Sequence, residues 1–269
     1  MSALTFTLRA EPDQRLDLSI LTPSHLAGLG EAEIAALPIG TTRELRTVGE
    51  VFAVAMGDLG EIRFVGGSER FDRIGEGLAS GAILVEGAVG SRVGRLMSGG
   101  RIEVRGHAGL HAGSAMSGGF LRIEGDAGDF LGGPLAGEMA GMTGGTLHVR
   151  GSVGKRAGDR IRRGTIVVGG NAGADAGSRM VAGTLIVKGR AGATPGRLMR
   201  RGTIVAGGGA ERVGATFLDN GVHDPLIFRL MARAFAAGPL GEPVLDGAPM
   251  RRLGGDTAAL GLGELFVPA

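Results

Sequence analysis

A 19-residue glycine-rich repeat dominates this sequence between residues 81 and 208. Each copy opens with glycine, continues as a short apolar alternation, and reaches another glycine at its seventh position. The opening glycines are Gly81, Gly100, Gly119, Gly145, Gly164, Gly183 and Gly202. Successive copies are 19 residues apart, except for one interval of 26 residues. A fixed period near 20 residues is typical of solenoids, in which each repeat forms one coil of a stack.

The apolar alternation within each repeat predicts one short strand. Positions 3 and 5 of each repeat are apolar, as in Ile83 and Val85, and residues two apart share one side of a strand. The residue three before each new copy, position 17 of a regular repeat, predicts a second inward column, which consists of Met97, Met116, Met142, Ile161, Met180 and Met199. We call it the position 17 column. Four glycines per repeat disfavour a helix, since each costs about 1 kcal/mol relative to alanine. The sequence therefore predicts an all-β fold, a right-handed parallel β-helix in which one chain forms a single solenoid.

The glycine at position 7 and the one long interval both carry structural information. A glycine that directly follows a strand is expected where φ is positive or where the backbone turns too tightly for a Cβ. The long interval holds seven extra residues within 133–141. They must leave the stack as a loop on one face. Solenoid insertions often lie on the binding face, but a tolerated surface loop explains this one equally well.

The segments that flank the repeats are expected to close the ends of the stack. We divide the chain into an N-terminal cap at 1–50, a β-helix solenoid at 51–217, and a C-terminal capping helix and tail at 218–269. Within the first part, residues 4–8 predict a strand and residues 31–37 a short helix. Residues 60–78 predict an early, less regular coil, and residues 51–56 are a candidate for another.

The C-terminal part begins with a predicted helix. Asp224 is the expected N-cap and Pro225 is expected in the first turn, and apolar residues continue at helical spacing to Phe235. The helix either plugs the last coil, which is the interpretation we favour, or docks a partner. The tail after Gly238 is expected to be loosely structured, with residues 265–267 pinning its end to a surface.

The composition excludes several kinds of chemistry. The chain has no cysteine, so disulfides, iron–sulfur clusters and cysteine-ligated metals are ruled out. Its start lacks the pattern of a secretory signal, and no apolar run is long enough to span a bilayer. We therefore expect a cytoplasmic protein that does not associate with membranes.

The sequence also predicts no catalytic residues and no metal site. His107 and His111 lie in one coil turn, but no third ligand accompanies them. The glycine-rich strings lack the helix and lysine of a phosphate-binding loop. There is no nucleophile elbow and no distinctive carboxylate pair.

Positive charge is concentrated late in the repeats. Between residues 150 and 201 there are twelve basic residues and two acidic ones, although the whole chain has a net charge of only +2. Stacking would align Arg162 with Arg200 and Arg163 with Arg201, two coils apart. Such a surface would attract an acidic ligand or partner, whereas a nucleic acid is disfavoured because no aromatic residues interleave. An ordinary solvated face beside an acidic subunit is the simpler interpretation.

Three features together resemble one protein family over about residues 1–235. They are the glycine-spaced coils, the leading segment at 15–38, and the closing Phe-Leu-Asp-Asn-Gly at 217–221. The chain resembles the C subunit of formylmethanofuran dehydrogenase, and still more its bacterial relative, the C subunit of the formyltransferase/hydrolase complex. The coils are also similar to the glycine-rich β-helix domain at the C-terminus of the glutamate synthase large subunit.

The resemblance implies a non-catalytic scaffold in one-carbon metabolism, within a complex that converts formaldehyde-derived formyl groups to formate. Its implied partners are a formyltransferase subunit, an amidohydrolase-like subunit and a further subunit. The complex would use a methanofuran-type carrier and tetrahydromethanopterin, with no cofactor on this chain. As a hypothesis, Arg162, Arg163, Arg200 and Arg201 would guide an acidic, glutamate-bearing carrier tail.

Three alternatives remain open. The first is the C subunit of a tungsten or molybdenum formylmethanofuran dehydrogenase; an excess of 27 arginines over two lysines favours the bacterial hydrolase instead, since it suggests a GC-rich genome. The second is a structural β-helix domain of a glutamate-synthase-like amidotransferase. The third, a hexapeptide-repeat acyltransferase, is disfavoured because that class has a six-residue rhythm and 18-residue coils.

Overall fold

The structure is a computed structural model that describes residues 2–40, 44–245 and 247–269. Residues 1, 41–43 and 246, of which all but the last fall in the predicted N-terminal cap, lie outside the described residues. In chain order the elements are β1 (Ala3–Leu8), β2 (Leu16–Asp17), α1 (Pro23–Leu26), α2 (Glu31–Ala36), α3 (Val48–Val51), β3 (Phe52–Ala55), β4 (Asp58–Val65), β5 (Phe71–Asp72), β6 (Ala82–Glu86), β7 (Arg101–Val104), β8 (Phe120–Ile123), β9 (Thr146–Val149), β10 (Thr165–Val168), β11 (Thr184–Val187), β12 (Ala191–Ala193), β13 (Arg201–Ala206), β14 (Ala210–Arg212), β15 (Leu218–His223), α4 (Leu226–Ala237), β16 (Met250–Gly255) and β17 (Leu262–Pro268).

The fold is mostly β and centres on one large, mostly parallel sheet. Its 13 strands follow the order β15-β16-β17-β13-β11-β10-β9-β8-β7-β6-β4-β1-β3. Each repeat contributes one strand, and the repeats pair in register, so that Ile166 lies beside Leu185 and Leu185 beside Ile204. Across the insertion the same register holds, with Leu121 beside Leu147. The extra residues therefore leave the stack without disturbing the sheet.

Backbone hydrogen bonds also link the repeats away from this sheet. Position 9 of successive repeats forms a row of parallel bridges, which joins Ser68, Val89, Ala108, Ala127, Val153, Ala172 and Ala191. Further along, the amide of Gly113 donates to the carbonyl of Val93 in the preceding repeat, at 2.8 Å. Each repeat thus finds backbone partners in its neighbours along most of its length.

The core lies between these ladders and contains the columns predicted from the repeat. The apolar residues at positions 3, 5 and 17 are all buried, and the position 17 side chains from Met97 to Met199 have no exposed surface. A methionine column suits this place because the flexible thioether fills gaps between stacked layers.

Two glycine columns have different physical causes. At position 1, Gly164 adopts a φ of +92°, which is in the left-handed region that favours glycine. At position 7, a Cβ on Gly106 would lie only 2.5 Å from the backbone nitrogen of Ala88 in the preceding repeat. Close approach of stacked backbones, rather than a left-handed φ, therefore requires glycine at Gly106.

Short helices and an aromatic cluster form the N-terminal end. The strand predicted at 4–8 is confirmed as β1, and the helix predicted at 31–37 as α2. Phe6 stacks on Phe64 with ring centroids 5.1 Å apart, and Phe52 packs edge-on against both. The candidate coil at 51–56 is wrong, because β3 runs antiparallel to β1 and does not repeat the parallel pairing of the later strands.

The C-terminal end differs most from the sequence-based expectation. The tail after Gly238 is not loose: β17 pairs in parallel with β13, and β16 and β15 add antiparallel strands beyond it. The pinning of residues 265–267 is confirmed, because Leu265 lies beside Ile204 and is fully buried. This order arises from pairing between segments about 60 residues apart in sequence, which a local pattern does not reveal.

Helix α4 covers the outer face of the sheet and does not plug its end. Phe228 packs edge-on against Phe266 and belongs to a second apolar cluster with Val167, Ile186 and Val205, which point outward from the sheet. The predicted cap is also wrong: Pro225 occupies the N-cap position, and Asp224 instead accepts a hydrogen bond from Arg229 at 2.6 Å.

Candidate functional site

Four arginines near the start of two repeat strands form the basic surface predicted from the sequence. Arg162 and Arg163 precede β10, whereas Arg200 precedes β13 and Arg201 is its first residue, and all four are exposed. The amides of Arg162 and Arg200 donate to Met142 and Met180 of their preceding repeats, which fixes both pairs at the same corner of the stack. One repeat lies between them, so the pairs are separated by about 10 Å. We call this group the arginine corner.

Among the residues that the structure describes, the positive charges of the arginine corner are not balanced by nearby carboxylates of the same chain. Within the described part of the chain, no carboxylate forms an ion pair with any of its four members. The repeat between the two pairs contributes Val181 and Ala182 at the same place, so no acidic side chain interrupts the surface. Four uncompensated guanidinium groups can bind carboxylates or phosphates bidentately.

Several other arginines of this stretch are neutralised by carboxylates. Arg150 pairs with Glu124 at 3.2 Å, and Arg197 pairs with Asp175 at 3.1 Å. Arg179 forms a bidentate pair with Asp159, a side chain that is almost fully buried and also accepts a hydrogen bond from Ser178 at 2.8 Å. The structure therefore leaves the four arginines of the corner without carboxylate partners, whereas Arg150, Arg179 and Arg197 are held in ion pairs, a division that charge counting missed.

The insertion at 133–141 is a fixed loop. Glu138 accepts hydrogen bonds from Arg95 at 2.5 Å and from the amide of Leu135 at 2.9 Å. The hydrogen bond from Arg95 is the main reason why the pKa of Glu138 is lowered. Arg160 donates to the carbonyl oxygen of Glu138 at 2.9 Å. These contacts hold the loop against two repeats, while Met139 at its tip stays exposed.

The histidines are dispersed. His107 accepts a hydrogen bond from the amide of Asp126 at 2.9 Å, whereas His111 stacks on Phe130 with ring centroids 4.9 Å apart. His223 lies within 2.9 Å of the carbonyl oxygen of Asn220. In the described ranges, no three His, Asp or Glu side chains converge in an arrangement that could hold a metal ion.

His148 is a buried titratable residue that the sequence analysis did not single out. It is 1% exposed, and its Nε2 atom lies 3.6 Å from a carboxylate oxygen of Glu242. Burial, followed by the nearby charge of Arg122, lowers the pKa of His148 to about 4. The sequence offered one signal for this residue, which is its outward-facing position 4 in the repeat strand. A side chain there is either exposed to solvent or buried under a segment that covers the sheet.

A cavity of about 490 Å³ lies between Ile186 and Val205 of the sheet and Val244 and Met250 of the C-terminal part. Its lining is mostly apolar, with Lys188 as its charged side chain. Separately, no helix in the described parts of the chain has the length and apolar character needed to cross a membrane.

Comparison with known proteins shows which of them this chain is similar to. No family model matches the chain. A curated relative, the C subunit of the formyltransferase/hydrolase complex Fhc of Methylorubrum extorquens, is 44% identical over 88 residues, which cover 33% of this chain and 33% of that protein. The aligned segment thus spans about a third of the curated relative's length.

A solved structure matches over nearly the whole chain. It is the crystal structure of the formyltransferase/hydrolase complex FhcABCD from Methylorubrum extorquens with methylofuran. One chain of that complex superposes with a TM-score of 0.93 and 43% identity, over 98% of this chain and 99% of the matched one. Identity at this level, sustained from end to end, reflects common descent and not a shared fold alone. This chain therefore belongs to the family formed by the C subunits of formyltransferase/hydrolase complexes.

Proposed function

We propose that this chain is a non-catalytic structural subunit of a formyltransferase/hydrolase complex in tetrahydromethanopterin-linked one-carbon metabolism. The observation that carries the proposal is the match over 98% of the chain to a chain of the FhcABCD complex, at 43% identity. We place this chain in the cytoplasm. A formyltransferase subunit, an amidohydrolase-like subunit and a further subunit are the proposed partners. They would carry the chemistry, with a methanofuran-type carrier moving the formyl group.

In this proposal the scaffold is a right-handed parallel β-helix. Parallel pairing of strands in a 19-residue register supports it, as does the second row of bridges at position 9. The boundaries 1–50, 51–217 and 218–269 then separate an N-terminal cap, the solenoid, and a C-terminal part with α4 and the last antiparallel strands. A stack of backbone ladders is stiff along its axis, which suits it to holding two enzymes at a fixed separation.

Affinity purification of the tagged chain from its native host tests this role. After a high-salt wash, the bound chains are identified by mass spectrometry. Recovery of formyltransferase and amidohydrolase-like chains is expected. Recovery with tungsten or molybdenum and iron–sulfur subunits would select the dehydrogenase, and an amidotransferase partner would select the glutamate-synthase-like domain. A chain that purifies alone would contradict the scaffold role.

The arginine corner has a separate proposed role, which is to guide an acidic, glutamate-bearing tail of the carrier between active sites. The four side chains are exposed and without internal carboxylate partners, and their two pairs lie about 10 Å apart. An extended tail rises about 3.3 Å per residue, so carboxylates three residues apart would reach both pairs. Guanidinium groups at a surface steer anions over several ångströms, and salt weakens this effect.

Charge reversal tests the guiding role. In the assembled complex, Arg162, Arg163, Arg200 and Arg201 are all replaced by glutamate. Formyl transfer should slow at least tenfold at low salt, while the set of bound subunits stays unchanged. The matched control replaces the same four residues by lysine, which retains the charge and should preserve most of the rate. Loss of subunits from the glutamate variant would instead identify the arginine corner as an interface.

A further inference from the structure

The chain has two asparagines, and they are followed by different residues. Ala172 comes after Asn171, whereas Gly221 comes after Asn220. Both asparagine side chains are exposed. An asparagine loses its side-chain nitrogen when the backbone nitrogen of the next residue attacks its Cγ atom, and a glycine in that place has no side chain to hinder the approach. The Asn-Gly sequence at 220–221 is therefore the position where this reaction is sterically open.

Asn220 and Gly221 form a bulge in β15. The register of β15 against β16 shifts between Asp219 and Val222, so two residues of β15 lie opposite the single residue Arg252. Gly221 has a φ of +83° there, which is in the left-handed region that favours glycine. In the described part of the chain, no hydrogen bond holds the Asn220 side chain. Both reacting groups thus lie outside the regular ladder of the sheet.

Asn171, by contrast, is held on both sides of the bond in question. Its Oδ1 atom accepts a hydrogen bond from the amide of Arg190 at 2.8 Å. The amide of Ala172 donates to the carbonyl oxygen of Arg190 at 3.0 Å, within the row of parallel bridges. Neither group can turn toward the other without breaking hydrogen bonds between repeats. Asn171 therefore serves as an internal control for Asn220.

The peptide group that joins Asn220 to Gly221 is held at both ends. The amide of Gly221 donates to Oδ1 of Asp219 at 2.8 Å, and Nε2 of His223 lies 2.9 Å from the carbonyl oxygen of Asn220. Arg251 in turn donates to Asp219 at 2.5 Å. The hydrogen bond from Gly221, followed by that from Arg251, lowers the pKa of Asp219. This carboxyl group is therefore ionised at neutral pH.

An ionised carboxylate on the Gly221 amide opposes the attack on Asn220. At neutral pH the amide nitrogen must lose its proton to a base in solution before it can bond to Cγ. The hydrogen bond to Asp219 stabilises the amide with its proton in place, and the negative charge of the carboxylate disfavours an anionic nitrogen beside it. Asp219 therefore slows a reaction that the sequence and the bulge would otherwise permit.

We infer that Asn220 is a site of spontaneous deamidation, and that Asp219 sets the rate by holding the Gly221 amide. The deprotonated Gly221 nitrogen bonds to Cγ of Asn220, the bond from Cγ to the side-chain nitrogen breaks, and that nitrogen takes a proton from water and leaves as ammonia. Water then adds to either carbonyl carbon of the succinimide and opens the ring to aspartate or isoaspartate, with the proton returned to the Gly221 nitrogen. The product adds a carboxylate next to Asp219, and isoaspartate also adds a methylene to the backbone of β15.

Incubation of the purified full chain at neutral pH, followed by peptide mapping with mass spectrometry, tests the inference. The peptide that contains Asn220 should gain one mass unit, while the peptide that contains Asn171 stays unchanged. Asp219→Ala should speed the gain at least about tenfold, because a hydrogen bond to a charged group no longer has to be broken. An Asn220 that stays intact in Asp219→Ala would overturn the assignment of the site.

Two control variants separate the carboxylate from a general loosening of β15. Asp224→Ala removes an aspartate that is as exposed as Asp219 and also pairs with an arginine, and it should leave the rate unchanged. Arg251→Ala removes the ion pair between β15 and β16 but keeps the carboxylate on the Gly221 amide, so the rate should change by less than about twofold. Equal acceleration in Arg251→Ala and Asp219→Ala would mean that strand pairing restrains the reaction, which would overturn the inference.

Discussion

The outer face of the large sheet has an open half and a covered half. Position 4 of each repeat strand points outward, and in β6 to β8 it is Leu84, Glu103 and Arg122, all partly exposed. In β10, β11 and β13 the same position is Val167, Ile186 and Val205, all buried beneath α4 and the residues that follow it. The inner faces of these strands, by contrast, are equally apolar throughout.

Ion pairs replace apolar packing on the open half. Glu86 lies 2.9 Å from Arg63 and 3.1 Å from Arg105, which makes a row of three alternating charges across neighbouring strands. Arg101 pairs similarly with Glu103 at 3.2 Å. The comparison teaches that the repeat determines which side chains point inward, whereas the segment that covers the sheet determines what points outward. His148 of β9 marks the boundary, since it is buried yet titratable.

The largest change in stability is expected when an apolar position 4 residue of the covered half is replaced by a charged one, and the reverse change on the open half is its comparison. Ile186→Glu would bury a carboxylate in the apolar cluster beneath α4, and we expect a loss of about 3–5 kcal/mol in the free energy of unfolding. The reverse change, Glu103→Ile on the open half, should alter it by less than about 0.5 kcal/mol. Urea denaturation of both variants measures the difference. Similar losses in both would mean that the two halves are covered alike.

Removal of the Phe228 side chain, which anchors α4 to the sheet, should cause the next largest loss of stability. Phe228→Ala removes a buried ring that packs on Phe266, so a loss of about 3–4 kcal/mol is expected in the stability of α4. Hydrogen exchange of residues 226–237 reports this local stability directly. Leu230→Ala, on the exposed side of the same helix, is the control and should cost less than about 0.5 kcal/mol. An unprotected helix in the unmodified chain would contradict the covering role.

The buried His148, at the boundary between the two halves, predicts that the folded chain loses stability in acid. The pKa of His148 is lowered to about 4 from its ordinary value of 6.5. Between these values the unfolded chain binds a proton that the folded chain does not, so stability falls as the pH falls, by about 3 kcal/mol in total. Comparison of urea denaturation at pH 7 and pH 4.5 checks this.

The variant His148→Gln isolates the contribution of this one group. It stays neutral throughout, so its stability should decline less steeply between pH 7 and pH 4.5 than that of the unmodified chain. The other titrating groups are common to both proteins and cancel in the difference. Parallel pH profiles would mean that His148 is protonated in the folded chain at the same pH as in the unfolded one.

The smallest loss of stability is expected for a substitution in an ion pair on the open half. Arg105→Ala removes an exposed guanidinium from the row that includes Glu86, and exposed pairs contribute about 0.2–1 kcal/mol. The loss should disappear at high salt, because screening weakens surface pairs. Thermal denaturation at low and high salt measures it. A loss that persists at high salt would indicate a packing role for the arginine stem.

Local patterns predicted the repeated part of the molecule well. The strands, the position 17 column and the site of the insertion all follow from the 19-residue period, since stacked repeats place equal positions on top of one another. β1 and α2 were also found, because each has a short-range signal of its own. The four residues of the arginine corner were aligned correctly by the same period, although their role stays a prediction.

Contacts between distant segments were not predictable in this way. The pairing of β17 with β13 joins residues about 60 positions apart, and nothing in the periodicity of the tail indicates it. The Arg95–Glu138 contact depends on how the insertion folds back, and the Arg179–Asp159 pair depends on burial. Charge counting treats every arginine alike, so it could not separate paired arginines from free ones.

The sequence by itself determined the stack: its period, its inward columns, and the glycines that the close approach of neighbouring backbones demands. These follow from repetition, because each repeat meets a nearly identical neighbour. Only the tertiary structure decided how the stack ends and what covers its outer face. Those features depend on unique segments that meet once, at a distance along the chain. Phe228 and Leu265 are buried there by contacts with residues far away in the sequence. A local sequence pattern does not encode such contacts.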